Sequence, residues 1–165
     1  MIAVSNTTPL RYLIAIGQEH LFGHLFDKVL VPSAVHEELT EPRTPQVVRE
    51  HVLSLAAWYE VRTVTENQAF GIPVLLHRGE RQAILLAEEV KPGVLLIDDQ
   101  AGRTIALSRG LPLSGTLGIL ERADGMGFLN DFPKVLDALK ASGFFIGQSL
   151  QQRMLKRHAS RHGMK

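Results

Sequence analysis

The sequence predicts an α/β protein in three layers, α/β/α, with a central, mainly parallel sheet between helices. Three observations lead there. Short apolar runs alternate with amphipathic stretches along the whole chain. The runs lack strict polar/apolar alternation, as expected of strands covered on both faces. Helix-start and helix-stop residues separate the two kinds of segment, as in a chain built from successive βα units.

The elements follow in order. Ile2 to Ser5 is a short run, β-branched at Ile2 and Val4, and reads as a buried strand. Thr7 or Thr8 caps the next helix, Pro9 stands near its first turn, and Gly17 ends it. Leu21, Leu25 and Phe26 mark a second short helix, and Lys28 to Val31 a second buried strand. Pro32-Ser33 opens a helix through Leu39, and Pro42 closes the region. Val47 to Ala57 reads as helix, with Val48, Val52, Leu53 and Leu55 among its apolar positions. Trp58 to Val64 reads as strand, and Glu66 to Pro73 as loop. Arg78-Gly79-Glu80 starts a strongly amphipathic helix that Lys91-Pro92-Gly93 ends. Val94 to Ile97 is the most apolar strand, with Asp98-Asp99 at its end. A helix to Ser108, a strand Leu111 to Leu113, and helices from Thr116 to Ala123, Asp131 to Ala141 and Gly147 to about Arg157 complete the chain. With no repeat and no long linker, residues 1–145 are expected to form one domain, and 146–165 a C-terminal helix and basic tail of that same domain.

Composition narrows the function classes. The chain has 165 residues, 45% hydrophobic and 21% charged, enough for one sizeable core and too apolar for a disordered protein. It has no cysteine, which excludes a disulfide framework, thiolate zinc sites and a cysteine nucleophile. No apolar run approaches the roughly 20 residues of a membrane span. No basic segment leads into a long apolar region at Met1, so neither a signal peptide nor a membrane partner is expected, and the expected location is the cytoplasm. The net charge is +1, yet residues 151–165 contain no acid. That stretch is either a solvated helix end with a frayed tail or an RNA-backbone contact.

In open parallel α/β sheets, ligands bind beyond the carboxyl ends of the strands. Asn6 follows the first strand, Glu38 lies on the helix after the second, and Asp98 and Asp99 follow the most apolar strand. Glu80 starts the helix leading into that strand, while Ser114 and Thr116 follow the last short one. These oxygen-bearing groups suit a hard cation such as Mg²⁺ or Mn²⁺, which offsets carboxylate self-repulsion and supports phosphodiester cleavage. Each acid also has an ordinary structural reading: Glu80 as a helix-dipole partner, Glu37-Glu38 as a solvated face, the aspartates as a helix cap. Two adjacent acids exceed what one cap needs.

These segments resemble the DUF3368 branch of the PIN superfamily. Val4-Ser5-Asn6-Thr7-Thr8-Pro9-Leu10 resembles its VSDTSPL opening, and residues 31–39 its PxxVxxEL segment. Arg78-Gly79-Glu80 with Ala83-Ile84 resembles its RGExxAI helix start. Residues 95–103 are similar to LLIDDxxxR, and residues 113–120 to xxGTLGxL. All five stand in the family's order. The resemblance implies a PIN-like fold and cleavage of single-stranded RNA with Mg²⁺ or Mn²⁺. It further implies a toxin's place beside a small antitoxin, and a homodimer or higher oligomer. It carries catalytic positions to Asn6, Glu38, Glu80 and Asp99, and metal ligation to Asp99, Asp98, Glu38 and Glu80. Ser114, Thr116 and Arg103 become supporting residues, Arg103 pairing with Asp99 or meeting a phosphate. Asn6 departs from the pattern, which has Asp there, and offers a carbonyl oxygen without charge.

The alternative to a nuclease is a catalytically weak module that binds RNA or an antitoxin, motivated by Asn6. A signalling receiver domain fits poorly, because Asp98-Asp99 come late and no Lys follows the Leu111 to Leu113 strand. His158 and His162 stand four apart and could share a helix face, but they lie in a tail with no Glu between them, so a zinc site there is not expected. Leu21, Phe22, Leu25 and Phe26 read as core before they read as a docking surface.

Overall fold

A computed structural model describes residues 1–66, 72–73 and 76–163. Among the described residues, five parallel strands form one sheet in the order β3-β2-β1-β4-β5: β1 (Ile2–Ser5), β2 (Lys28–Pro32), β3 (Tyr59–Arg62), β4 (Val94–Leu96) and β5 (Leu113–Ser114). Alternate residues of each strand enter different cores. Ala3, Val29, Val31, Val94 and Leu96 pack with α1 (Thr7–Ala15), α2 (His20–Leu25), α3 (Ser33–Leu39) and α4 (Gln46–Leu53), and with α7 (Thr116–Gly125), α8 (Phe132–Ala141) and α9 (Gln148–Arg161). Val4, Leu30, Leu95 and Ile97 pack with α5 (Arg78–Val90) and α6 (Gln100–Ser108) on the other side. The expected three layers are therefore present, and the reason is visible in the strands: both faces are apolar, so both need a helical cover.

β1 pairs with β2 on one side and β4 on the other. The chain order thus reverses direction between β1 and β4, which opens a crevice beyond their carboxyl ends. Asn6 enters that crevice directly, its backbone N–H donating to the Leu96 carbonyl at 2.9 Å.

Several expected boundaries move. α4 ends at Leu53, short of Ala57, because Leu55 adopts a left-handed backbone (φ 51°). Val48 and Val52 are buried as expected, but Leu53 and Leu55 are more than half exposed: Leu53 stands off the Val48/Val52 face of α4, and Leu55 lies beyond the helix end. The fifth strand is Leu113–Ser114, not Leu111 to Leu113: Leu111 closes the α6 turn through its N–H to the Ala106 carbonyl. Most of the loop expected over 66–73 lies outside the described residues. Leu21, Phe22, Leu25 and Phe26 are core. α9 runs to Arg161 rather than about Arg157, and it is no frayed tail: Arg157 pairs with Glu121, and Arg161 with Asp124, both on α7. Among the described residues no helix is long and apolar enough to cross a membrane.

Candidate active site

Of the acids named from sequence, Glu38, Glu80 and Asp99 come together from three elements, α3, α5 and the start of α6. Glu38 is on the last turn of α3. Thr7, the first residue of α1, donates its hydroxyl to Glu38 Oε2 at 2.8 Å, which turns the carboxylate toward the crevice. Glu37, its neighbour, also lines the cleft and pairs with Arg78 at 3.0 Å. Glu80 stands in the first turn of α5 and accepts the His77 backbone N–H at 3.0 Å. The structural role expected of an acid at a helix start is thus real, and it also fixes the carboxylate's position.

Gly79 explains how α5 comes so close. A Cβ at this position would sit 2.7 Å from Glu38 Oε1, 3.3 Å from Val35 and 3.5 Å from Asn6 Oδ1. Gly79→Ala is therefore expected to push Glu38 aside and lower metal affinity about 10–100-fold, with the fold intact, as for loss of a partner that orients a ligand. Titration calorimetry with Mn²⁺ beside a thermal melt checks this. Gln82, one turn further along α5, was not singled out from sequence. It is buried, and its Oε1 accepts the Ala34 backbone N–H at 3.0 Å and the Ser33 hydroxyl at 3.4 Å. It satisfies donors at the start of α3 and so fixes the helix that carries Glu38 against the helix that carries Glu80. The only signal in the sequence was a polar residue interrupting the apolar side of α5.

Asn6 occupies the N-cap of α1, but its side chain makes no capping bond. It is buried, and its Oδ1 lies on the Gly79 side of the crevice near Glu38. The amide is thus turned to the acids and not to the helix end.

The two aspartates after β4 divide into different roles. Asp99 is the N-cap of α6, and its Oδ2 accepts the Gly102 N–H at 2.7 Å. Asp98 turns the other way. Its Oδ1 accepts the Thr116 backbone N–H at 2.9 Å, and its Oδ2 the Thr116 hydroxyl at 2.6 Å. It therefore caps the start of α7 from outside and ties α7 to the end of β4. Both aspartates cap, each a different helix. Gly115 makes room for this, since a Cβ there would stand 2.6 Å from Asp98 Oδ1. Arg103 donates to the Ile97 carbonyl at 2.8 Å, and its charge acts on Asp98. Thr116 is fully buried, and Ser114 Oγ faces Gly118, where a Cβ would stand only 2.2 Å away.

The electrostatics identify an anionic centre. The Glu80 carboxyl is pushed above its ordinary range, first by burial and then by the charge of Asp99, with Glu38 adding to the effect. The His77 N–H and ring oppose the shift without cancelling it. A carboxylate pushed up by burial and by neighbouring acids favours a cation beside it, and oxygen donors alone suit a hard divalent ion. The donor types here, the carboxylates of Glu38, Glu80 and Asp99 and the neutral amide of Asn6, are of the kind that a hard divalent ion takes. A cleft of about 510 Å³ opens beside them, lined by Asn6, Thr7, Glu38 and Glu80, with Arg11, Arg43 and Arg78 also on its walls.

The fold and site define a class: parallel α/β/α domains with an acidic crevice where the strand order reverses. Within it, the family model for DUF3368, described as a PIN domain, matches residues 2–160, and the chain belongs to this family. A PIN domain suggests nuclease-type function, a hydrolase chemistry that typically uses divalent metal ions. No curated protein matches the chain.

Proposed function

We propose that this protein is a Mg²⁺- or Mn²⁺-dependent endoribonuclease that cleaves single-stranded RNA. The observation that carries the reading is the approach of Asn6, Glu38 and the first turn of α5 with Glu80 at the β1/β4 crevice, where the space beside Gly79 brings Glu38 Oε1 and Asn6 Oδ1 together and a cleft opens along them. Glu38, Glu80 and Asp99 hold the ion, and Asp98 stands beside them braced on Thr116. When bound, the ion supplies Lewis-acid chemistry, polarising the scissile phosphate and acidifying water. Asn6 orients water or substrate through its amide and adds no charge. Arg11, Arg43 and Arg78 on the cleft walls suit the flanking phosphates of a flexible single strand. Thr116 and Ser114 keep the β5–α7 corner in place, and Arg103 holds the end of β4.

The test is cleavage of a mixed single-stranded RNA by purified protein in Mn²⁺, in Mg²⁺ and in EDTA. Cleavage in either metal that EDTA stops is the expected result; no cleavage in any condition by folded protein overturns the reading. The proposed biological setting is the toxin of a toxin–antitoxin pair, acting as a homodimer or higher oligomer, in the cytoplasm. It rests on the family alone, and a short gene directly adjacent would agree with it.

Asn6 favours a second reading, a weakly catalytic module that binds RNA or an antitoxin. Asn6→Asp separates the two. A gain in cleavage of about tenfold or more, the scale on which ligand and ligand-orienting changes act, marks the natural protein as impaired. Unchanged cleavage marks the amide as competent.

A further inference from the structure

The C-terminal helix brings together three metal-ligating side chains that the proposed nuclease site does not use. Asp124, at the end of α7, has a side chain only 1% exposed. His158 and His162 stand one helical turn apart on α9 and both face it. His158 Nδ1 lies 2.9 Å from Asp124 Oδ2, and His162 Nε2 2.9 Å from Oδ1. One ligand atom from each of the three residues falls within 4.8 Å of the others. The two rings are tilted at 53° with centroids 4.7 Å apart, so different nitrogens of the pair converge on one carboxylate.

The surroundings favour a fixed site. His158 stacks on the buried Phe132 at 5.1 Å, which sets its ring plane. Arg161 donates to Asp124 Oδ2 at 2.6 and 2.9 Å and so orients the carboxylate. Charge is already balanced locally: Asp124 and Glu121 face Arg161 and Arg157. Neutral imidazole is the form that binds metal. His162 is the most exposed of the three, at 37%, and leaves a way in from solvent. The donor set, two imidazoles and one carboxylate, suits a borderline ion such as Zn²⁺ over Mg²⁺.

We propose that Asp124, His158 and His162 form a second metal site, of the kind that takes Zn²⁺, with one coordination position left for water. It clips α9 to the end of α7. Along α7 it stands roughly 12 Å from Thr116, at 1.5 Å of rise per residue, so it is separate from the carboxylate crevice. The sequence shows the histidine pair in its C-terminal segment with no acid between them; Asp124, 34 residues before His158, joins it once α9 packs on α7.

The test uses the full chain, stripped of metal and then held in excess Mg²⁺ so that the oxygen-rich crevice is occupied. Titration with Co²⁺ is expected to give the intense visible bands of a four-coordinate nitrogen–oxygen site at one equivalent, displaced by Zn²⁺. Zn²⁺ at 100-fold over its Kd is expected to raise Tm by about 5–10 °C. Both responses should vanish in His158→Asn/His162→Gln, whose amides can still donate to Asp124. Only weak six-coordinate Co²⁺ bands with no Zn²⁺-dependent rise in Tm overturn the proposal, as do responses that persist in the double variant. If that variant does not fold, the Co²⁺ spectrum of the unaltered protein decides alone. None of these readouts uses RNA cleavage, so the outcome is independent of the nuclease reading.

Discussion

Asp99→Asn is expected to lower metal-dependent RNA cleavage by about 10²–10³-fold, the scale on which single groups that stabilise developing charge act. It is expected to leave the fold nearly untouched. The two effects separate because Asp99 does two things with one carboxylate. Its Oδ2 caps α6 through Gly102 N–H, and asparagine caps a helix about as well as aspartate. The negative charge acting on Glu80 has no such substitute. Losing it removes an anionic ligand and lets Glu80 return toward its ordinary range, so the divalent ion is held less firmly. The check is the RNA assay beside a thermal melt and a Mn²⁺ titration. An unchanged melt with lost cleavage supports the assignment; unchanged cleavage places the chemistry elsewhere.

Asp98→Ala is expected to do the reverse, with its main effect on stability. Asp98 is the acceptor for both the N–H and the hydroxyl of Thr116, which is fully buried. Without it two donors at the start of α7 lose their partners, at a cost of about 2–3 kcal/mol. That corresponds to a fall in Tm of roughly 5–10 °C for a chain of this length. The effect carries a pH signature. Burial, the largest cause, pushes the Asp98 carboxyl above its ordinary value of 3.8; the Thr116 hydrogen bonds and the Arg103 charge oppose it without prevailing. The folded state thus binds the proton more tightly than the unfolded state does. Between 3.8 and the raised folded pKa, this group's contribution to stability falls as pH rises, then stays level above that range. The difference between Asp98→Ala and the natural protein should therefore be larger in weak acid than at neutral pH. Urea unfolding across that range measures it, and a difference that grows with pH would contradict the account.

The contrast between these adjacent residues shows where sequence reasoning stops. That two acids end β4 was legible, because Val94 to Ile97 is the most apolar run and any polar residue after it must leave the core. Which acid turns toward Glu80 and which toward Thr116 depends on where α7 starts in space, and no local pattern carries that. The same holds for Glu37 and Glu38, one paired with Arg78 and the other held by Thr7. Gly79 could be read from sequence as part of a helix start, but not as the space that lets Glu38 and Asn6 approach α5.

By itself the sequence determined the α/β class, the strands β1, β2 and β4, most helix starts, and the gathering of Asn6, Glu38, Glu80 and Asp99 at one sheet edge. Apolar runs, caps and breakers act over a few residues, and a parallel sheet places every strand's carboxyl end on the same side. The tertiary structure alone decided the order β3-β2-β1-β4-β5, the end of α4 at Leu53, the division of work between Asp98 and Asp99, and the meeting of Asp124 with His158 and His162. Each of these depends on contacts between segments far apart in the chain, and such contacts exist only after the helices have packed against the sheet.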